Sequence, residues 1–360
     1  MKIAIDISSV VYGTGVSWYT QNLVKNILRL DREDDFTLFG GSLRQLGHLK
    51  KIAAGFPRLP RTKFFPLPPT ALDFLWNRLH SLPIEKLIGD MDVFHSSDWT
   101  QPPTSAFKVT TIHDLVPLRF PNISHPKIVS VHKRRLEWVK KEVQRIIAVS
   151  EFTKKEIVEV LDIDPAKIIV IPEAADTIFR PTPQSKIEQV AKKYELNKPY
   201  LLVVGSDPRK NLPRIIEACK TLKTEIDLDL VVVGRPWNNA LGQKARFLGY
   251  VERTDMPALY SGARTLVYAS VYEGFGLPIL EAMSSDCPVV TSNLSSMPEV
   301  AGDAAFFIDP NNSRDIALGI KGVLSNRTKW IKRGRERVKK FSWIKAAEST
   351  VKVYNEAGLR

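Results

Sequence analysis

Glu273 and Glu281 bracket the segment EGFGLPILE, two carboxylates eight positions apart around a glycine-rich turn. Gly274 and Gly276 let a backbone come close to a ligand, and the amides that open a helix suit a phosphate or sugar oxygen. Pro278 falls in the early turn of the following helix, where a missing N–H costs little. Carboxylates at the two ends of such a segment can accept hydrogen bonds from the hydroxyls of a sugar or a ribose. Each glutamate also has an ordinary use, Glu281 pairing with a neighbouring base and Glu273 capping the helix.

Three further groups have chemistry to offer. Arg209 and Lys210, in GSDPRKN, sit just past a strand end and supply two cations suited to a diphosphate leaving group, although an Arg-Lys pair is commonly a solvated turn. Gly13 and Gly15 form a GTG turn between the first strand and the helix VSWYTQNLVKNIL. Trp18 occupies the place of the third glycine of a dinucleotide fingerprint, which argues against NAD. His113 ends the strand VTTI, with Asp114 beside it as a cap for the next turn. On the residues alone His113 reads first as a structural histidine and only second as a functional one. The Asp-x-Asp triplets Asp90/Asp92, Asp162/Asp164 and Asp227/Asp229 all precede strands, at the edge away from these groups, so no metal ligands are assigned.

The elements that must position these groups read as βαβ units. Val- and Ile-rich runs such as Lys2–Ile7, Asp92–His95, Val109–Ile112, Arg145–Val149, Lys167–Ile171, Tyr200–Val204, Asp229–Val233, Thr265–Tyr268, Pro288–Thr291 and Ala305–Ile308 alternate with helical segments. Continuous apolarity predicts parallel strands covered on both faces, with ligands at their carboxyl ends. The proline-rich FRPTPQ marks a boundary that gives domains 1–182 and 183–342. A last helix, with Trp343, Ala346, Ala347, Val351 and Tyr354 as its apolar stripe, is expected to fold back on the first domain over 343–360.

The ordered set of GTG at 13–15, IHDLVP at 112–117, AVSEFTKKEI at 148–157, GSDPRKN at 205–211, FLGYV at 247–251, the paired glutamates and MPEVAGDAA at 297–305 resembles the retaining glycosyltransferases of family 4 over almost the whole chain. The resemblance implies the GT-B fold: two doubly wound, Rossmann-like α/β domains facing across a cleft, acceptor side first and nucleotide-sugar side second. It also implies roles. Glu281 holds the ribose hydroxyls and Glu273 the donor sugar; Gly274, Phe275, Gly276 and Leu277 meet sugar and diphosphate through backbone amides. Lys210 is the phosphate lysine. Ser206 stands where many members have arginine, with Arg209 as its substitute, and which cation meets which phosphate stays open. Gly13, Gly15 and Val251 join the donor-binding set, and His113 lies beside the transferred sugar. HDLVPLRFP with GSDPRKN is similar to bacterial polysaccharide mannosyltransferase-like members, which makes GDP-mannose the first choice of donor and a glycan or lipid-linked glycan the acceptor, without a metal or other cofactor.

Composition agrees and excludes little more. The 360 residues carry 44% hydrophobic and 25% charged side chains, enough for two cores. A net charge of +13 calls for an anionic partner. Nucleic acid is set aside for lack of basic groups interleaved with aromatics. The basic helix at 126–145 suits either a solvated face or the anionic inner surface of a membrane. Two cysteines without ligand spacing, and no apolar run of membrane-spanning length, fit a cytoplasmic protein. Two other readings stay open. A nucleotide-sugar epimerase of similar build would act on donor alone, and a non-catalytic polysaccharide-binding module would consume nothing.

Overall fold

Strands buried on both faces by helices are what continuous Val/Ile runs produce. In the computed structural model, which describes residues 1–222, 227–237 and 239–359, β1 (Lys2–Asp6), β2 (Asp35–Gly41), β3 (Arg61–Phe65), β4 (Val93–Ser96), β5 (Phe107–Ile112), β6 (Arg145–Ala148) and β7 (Ile168–Val170) form one sheet. Its order is β3-β2-β1-β4-β5-β6-β7, and every pairing is parallel. A second parallel sheet contains β8 (Tyr200–Val204), β9 (Asp229–Val233), β10 (Arg246–Phe247), β11 (Thr265–Tyr268), β12 (Val289–Ser292) and β13 (Phe306–Ile308) in the order β10-β9-β8-β11-β12-β13. Both are doubly wound Rossmann-like sheets.

Each sheet reverses direction once, between β1 and β4 in the first and between β8 and β11 in the second. Open parallel sheets bind ligands beyond the carboxyl ends of the strands at such a switch point. In the second sheet the loops that leave the switch strands are Gly205–Asn211 and Ala269–Gly276. In the first they begin at Ile7 and Ser97.

The chain divides into two compact units, Met1–Glu173 with Trp343–Arg360, and Ala174–Ser342. The division falls before the boundary read at 182/183. Phe179 meets Tyr260 edge-on at 5.8 Å and the Thr182 N–H donates to Ser261 Oγ at 3.1 Å, so the proline-rich segment is packed into the second unit. The last helix, Trp343–Asn355, lies in the first unit against the helix Gly15–Leu30. Its buried residues are Trp343, Ala346, Ala347, Thr350, Val353 and Tyr354. Val351, expected in the stripe, is only half-buried, because the buried face turns through Thr350 and Val353 instead.

β2, β3 and β10 escaped the sequence reading. β3 is an edge strand whose first three residues are exposed, and β10 is two residues long, so neither makes a continuous apolar run. β2 is broken by Thr37 and ends in Gly40 and Gly41.

The basic helices are less basic outside than their sequences suggest. In Pro126–Glu142, Arg135 is buried and Arg134 pairs with Asp73 at 2.6 Å. In Arg327–Val338, Arg335 forms a two-pronged pair with Asp286, at 2.7 and 2.5 Å, and Arg337 donates to the carbonyls of Val300 and Glu299. Among the described residues no helix is long and apolar enough to cross a membrane.

Candidate active site

The second unit brings the strongest candidates together. Lys210 ends a short 3-10 turn, Pro208–Lys210, that starts on Asp207, whose carboxylate accepts from the Arg209 N–H at 3.2 Å. Gly205 makes that turn possible, since it has φ +84° and a Cβ there would stand 2.8 Å from Cε of Lys210. Lys210 Nζ donates to Glu273 Oε1 at 2.6 Å and to the Tyr268 hydroxyl at 2.8 Å, and lies 4.6 Å from the centre of the Tyr268 ring. Arg209 reaches the same carboxylate, Nη1 to Oε2 at 3.8 Å, and donates to the Tyr272 carbonyl at 3.2 Å. Its own carbonyl accepts from Val271 N–H at 2.9 Å, which ties the two switch-point loops together.

Two cations around one buried carboxylate determine its charge. Burial works to raise the Glu273 carboxyl, but the charges of Lys210 and Arg209 outweigh it and hold the group below its ordinary value. For Lys210 burial works downward and the Glu273 carboxylate reverses it, so the ammonium stays protonated. The site therefore holds two cations in place, Lys210 against Glu273 and Arg209 against Asp207 at 3.1 Å, both available to an incoming diphosphate.

The helix Leu277–Ser284 starts immediately after Gly276, which caps it at φ +95°. Glu273 therefore does not cap it. The loop before it is fixed by two serines that the sequence reading passed over. Ser295 Oγ accepts from Glu273 N–H at 3.0 Å, and Ser296 Oγ donates to the carbonyls of Glu273 at 2.9 Å and Phe275 at 2.8 Å. A Ser-Ser pair in a loop carries no local signal of such a task. The Phe275 ring goes into the core, edge-on to Phe341 at 5.9 Å.

Glu281 is placed apart from this pair of cations. It is buried, accepts from the Tyr260 hydroxyl at 2.9 Å, and faces Arg253 Nη1 at 3.7 Å. Arg253 in turn lies 5.1 Å over the Phe179 ring and 3.4 Å from Asp176. Val251 is buried, while Ser206 donates its hydroxyl to the Arg235 carbonyl at 2.5 Å.

In the first unit His113 follows β5 directly. Its Nδ1 is 3.1 Å from Glu173 Oε1, and Tyr19 meets the ring edge-on at 4.5 Å. Burial alone would lower the histidine pKa, and the bond and charge of Glu173 turn the shift upward. Glu173 is 60 positions away in sequence, and nothing local pointed to it. Asp114 accepts from Val116 N–H at 2.9 Å, the capping role read for it. Gly13 has φ +67°, and Gly15 is the first residue of its helix, behind a capping box of Thr14 and Ser17. The Asp-x-Asp triplets lie on the amino-terminal side of β4, β7 and β9. Among the described residues no three His, Cys, Asp or Glu side chains gather as metal ligands would.

Comparison with known proteins gives the family and the fold. The family described as Glycosyltransferase Family 4 matches residues 13–179, and that described as Glycosyl transferases group 1 matches residues 185–337. The O-antigen chain mannosyltransferase B of Escherichia coli is 34% identical over 282 residues, 73% of this chain and 74% of that protein. A glycosyltransferase of Rickettsia africae superposes with a TM-score of 0.74 at 20% identity, over 99% of this chain and 98% of that one. An Anabaena protein solved with UDP and glucose does so with 0.73 at 16% identity, over 99% of this chain and all of the other. These last two show the shared fold.

Proposed function

Since the chain belongs to the family 4 glycosyltransferases, we propose that it moves mannose from GDP-mannose, with retention of anomeric configuration and without a metal, to a hydroxyl of a glycan or lipid-linked glycan in surface polysaccharide synthesis. The observation that carries this reading is the Lys210–Glu273 pair at the switch point of the second sheet, with Arg209 beside it and a glycine-capped helix start following. In this reading the second unit binds the donor and the first unit the acceptor.

The chemistry follows from where charge develops. As the bond between the anomeric carbon and the phosphate oxygen breaks, negative charge builds on the departing diphosphate. Lys210 and Arg209 neutralise that charge, which is greater in the transition state than in the bound donor. The acceptor oxygen bonds to the same face of the anomeric carbon, and its proton passes to the departing phosphate oxygen. Glu273, ionised and anchored by Lys210, accepts hydrogen bonds from sugar hydroxyls and keeps the lysine aimed. Glu281, held by Tyr260, takes the ribose hydroxyls. His113, with Nδ1 tied to Glu173, contacts the transferred sugar. Support for mannose comes from the Escherichia coli mannosyltransferase relative.

A panel of nucleotide diphosphates and their sugars tests the donor. GDP should raise the melting temperature most, and at about 100 times its Kd it adds about 2.7 kcal/mol. GDP-mannose should be consumed with a mannose oligosaccharide acceptor in excess EDTA, giving an α-linked product by NMR. Strict dependence on added Mn²⁺ or Mg²⁺ would sink the metal-free mechanism, and a β-linked product would sink retention. Altered sugar released with no acceptor present would instead mark an epimerase.

A further inference from the structure

The first sheet has a switch point too, and a carboxyl group sits at it that the reading above does not use. Asp6 is the last residue of β1 and is buried, 4% exposed. Its Oδ1 accepts from both the N–H of Ser8, at 2.8 Å, and the Ser8 hydroxyl, at 2.5 Å. Oδ2 has no hydrogen-bond partner among the described residues. Burial pushes the group above its ordinary value, against the two Ser8 bonds and the nearby Ser97 hydroxyl. An acceptor atom left unsatisfied inside a protein costs about 1–3 kcal/mol, so its retention asks for a reason.

Asp6 lines a cavity of about 30 Å³ with Ser97, Asp98, His95, Thr111 and His113. That volume admits one oxygen-sized group and no sugar ring. It adjoins a second cavity of about 350 Å³, sharing Ser9, Val16, Ser97 and Asp98, with Tyr12, Leu72 and Trp99 on its walls. The larger space suits a ring with apolar faces, the smaller one a hydroxyl projecting from it. A cation is the wrong occupant. The buried Arg135 guanidinium lies within electrostatic reach of Asp6 and Asp98, and His113 is tuned toward its charged form.

We propose that Asp6 Oδ2 accepts a hydrogen bond from a hydroxyl of the acceptor sugar, whose ring occupies the adjoining cavity against Tyr12 and Trp99, with Asp98 as a second polar contact. This rests on the glycosyltransferase reading and specifies its acceptor site. Asp6 and Asp98 thereby become substrate contacts at the first sheet's switch point, a role parallel to that of Lys210 and Glu273 at the second.

Asp6→Asn tests it, because the amide keeps an oxygen for Ser8 and turns the Oδ2 position from acceptor to donor. The variant should retain parental melting-temperature shifts with GDP, which binds the second unit. Its kcat/KM for the oligosaccharide should fall about 10- to 100-fold, through KM, as for loss of a hydrogen bond to a charged group. Asp98→Asn, at a half-buried position, should lower the same ratio. Saturation-transfer NMR with a short mannose oligosaccharide reads acceptor contact without turnover, and its signal should weaken in both variants. Oligosaccharide signals and kcat/KM within about threefold of the parent in both variants overturn the proposal. Should the parent consume no nucleotide-sugar at all, the transfer reading fails by itself, and the NMR comparison still decides whether Asp6 meets a sugar.

Discussion

Lys210→Ala should lower kcat by about 10²- to 10³-fold, the size expected when one fixed partner of a developing oxyanion is removed. KM for the donor should change much less, because the lysine's interaction strengthens as the diphosphate departs. The variant should also lose stability, for a separate reason. Glu273 would remain buried with Arg209 at 3.8 Å as its nearest cation, and breaking a buried pair from one side costs about 3–5 kcal/mol. Lys210→Met combined with Glu273→Gln separates the two effects. The double variant should recover most of the melting temperature and none of the activity. Turnover near the parental rate in Lys210→Ala would remove the diphosphate assignment. Additive losses in the double variant would show that the 2.6 Å bond carries no coupling.

Removing the C-terminal helix should abolish folding of the first unit. Its inner face contributes Trp343, Ala346, Ala347, Val353 and Tyr354 to that unit's core, and the Tyr354 hydroxyl lies 2.7 Å from Nδ1 of His95. Burial holds His95 down to about 3, so it stays neutral and depends on that partner and on Thr111 at 3.0 Å. Point variants grade the effect. Trp343→Ala should cost about 3–5 kcal/mol, as large-to-small changes of buried aromatics do. Tyr354→Phe should cost about 1–3 kcal/mol for the partner left unsatisfied. Trp343 also packs edge-on against Tyr19 at 5.6 Å, and Tyr19 against His113 at 4.5 Å. Activity of Trp343→Ala should therefore fall further than its unfolded fraction accounts for. Calorimetry of the variants checks the stabilities. A Trp343→Ala protein that melts like the parent would mean the helix is a passenger.

Much of this was legible in the residues. Val- and Ile-rich runs announced two parallel sheets because burial on both faces selects such residues whatever the sheet order. Glycines and prolines around Glu273 announced a tight turn into a helix because local dihedral demands are written locally. The strand ends that present Lys210, Glu273 and His113 followed from the same patterns, and so did the fold class.

What the tertiary structure alone decided is pairing. Lys210 and Glu273 lie 63 positions apart, and His113 and Glu173 lie 60 apart. The two glutamates that are eight apart in sequence have different partners, Lys210 for one and Tyr260 for the other. Arg135 is buried in a helix that reads as basic surface, and Asp6 keeps an unpaired oxygen at a strand end that reads as ordinary. Periodicity reports how deeply a position is buried, a one-residue property. Which strands stand side by side at a switch point depends on the order of the whole sheet, and that order brings distant charges together.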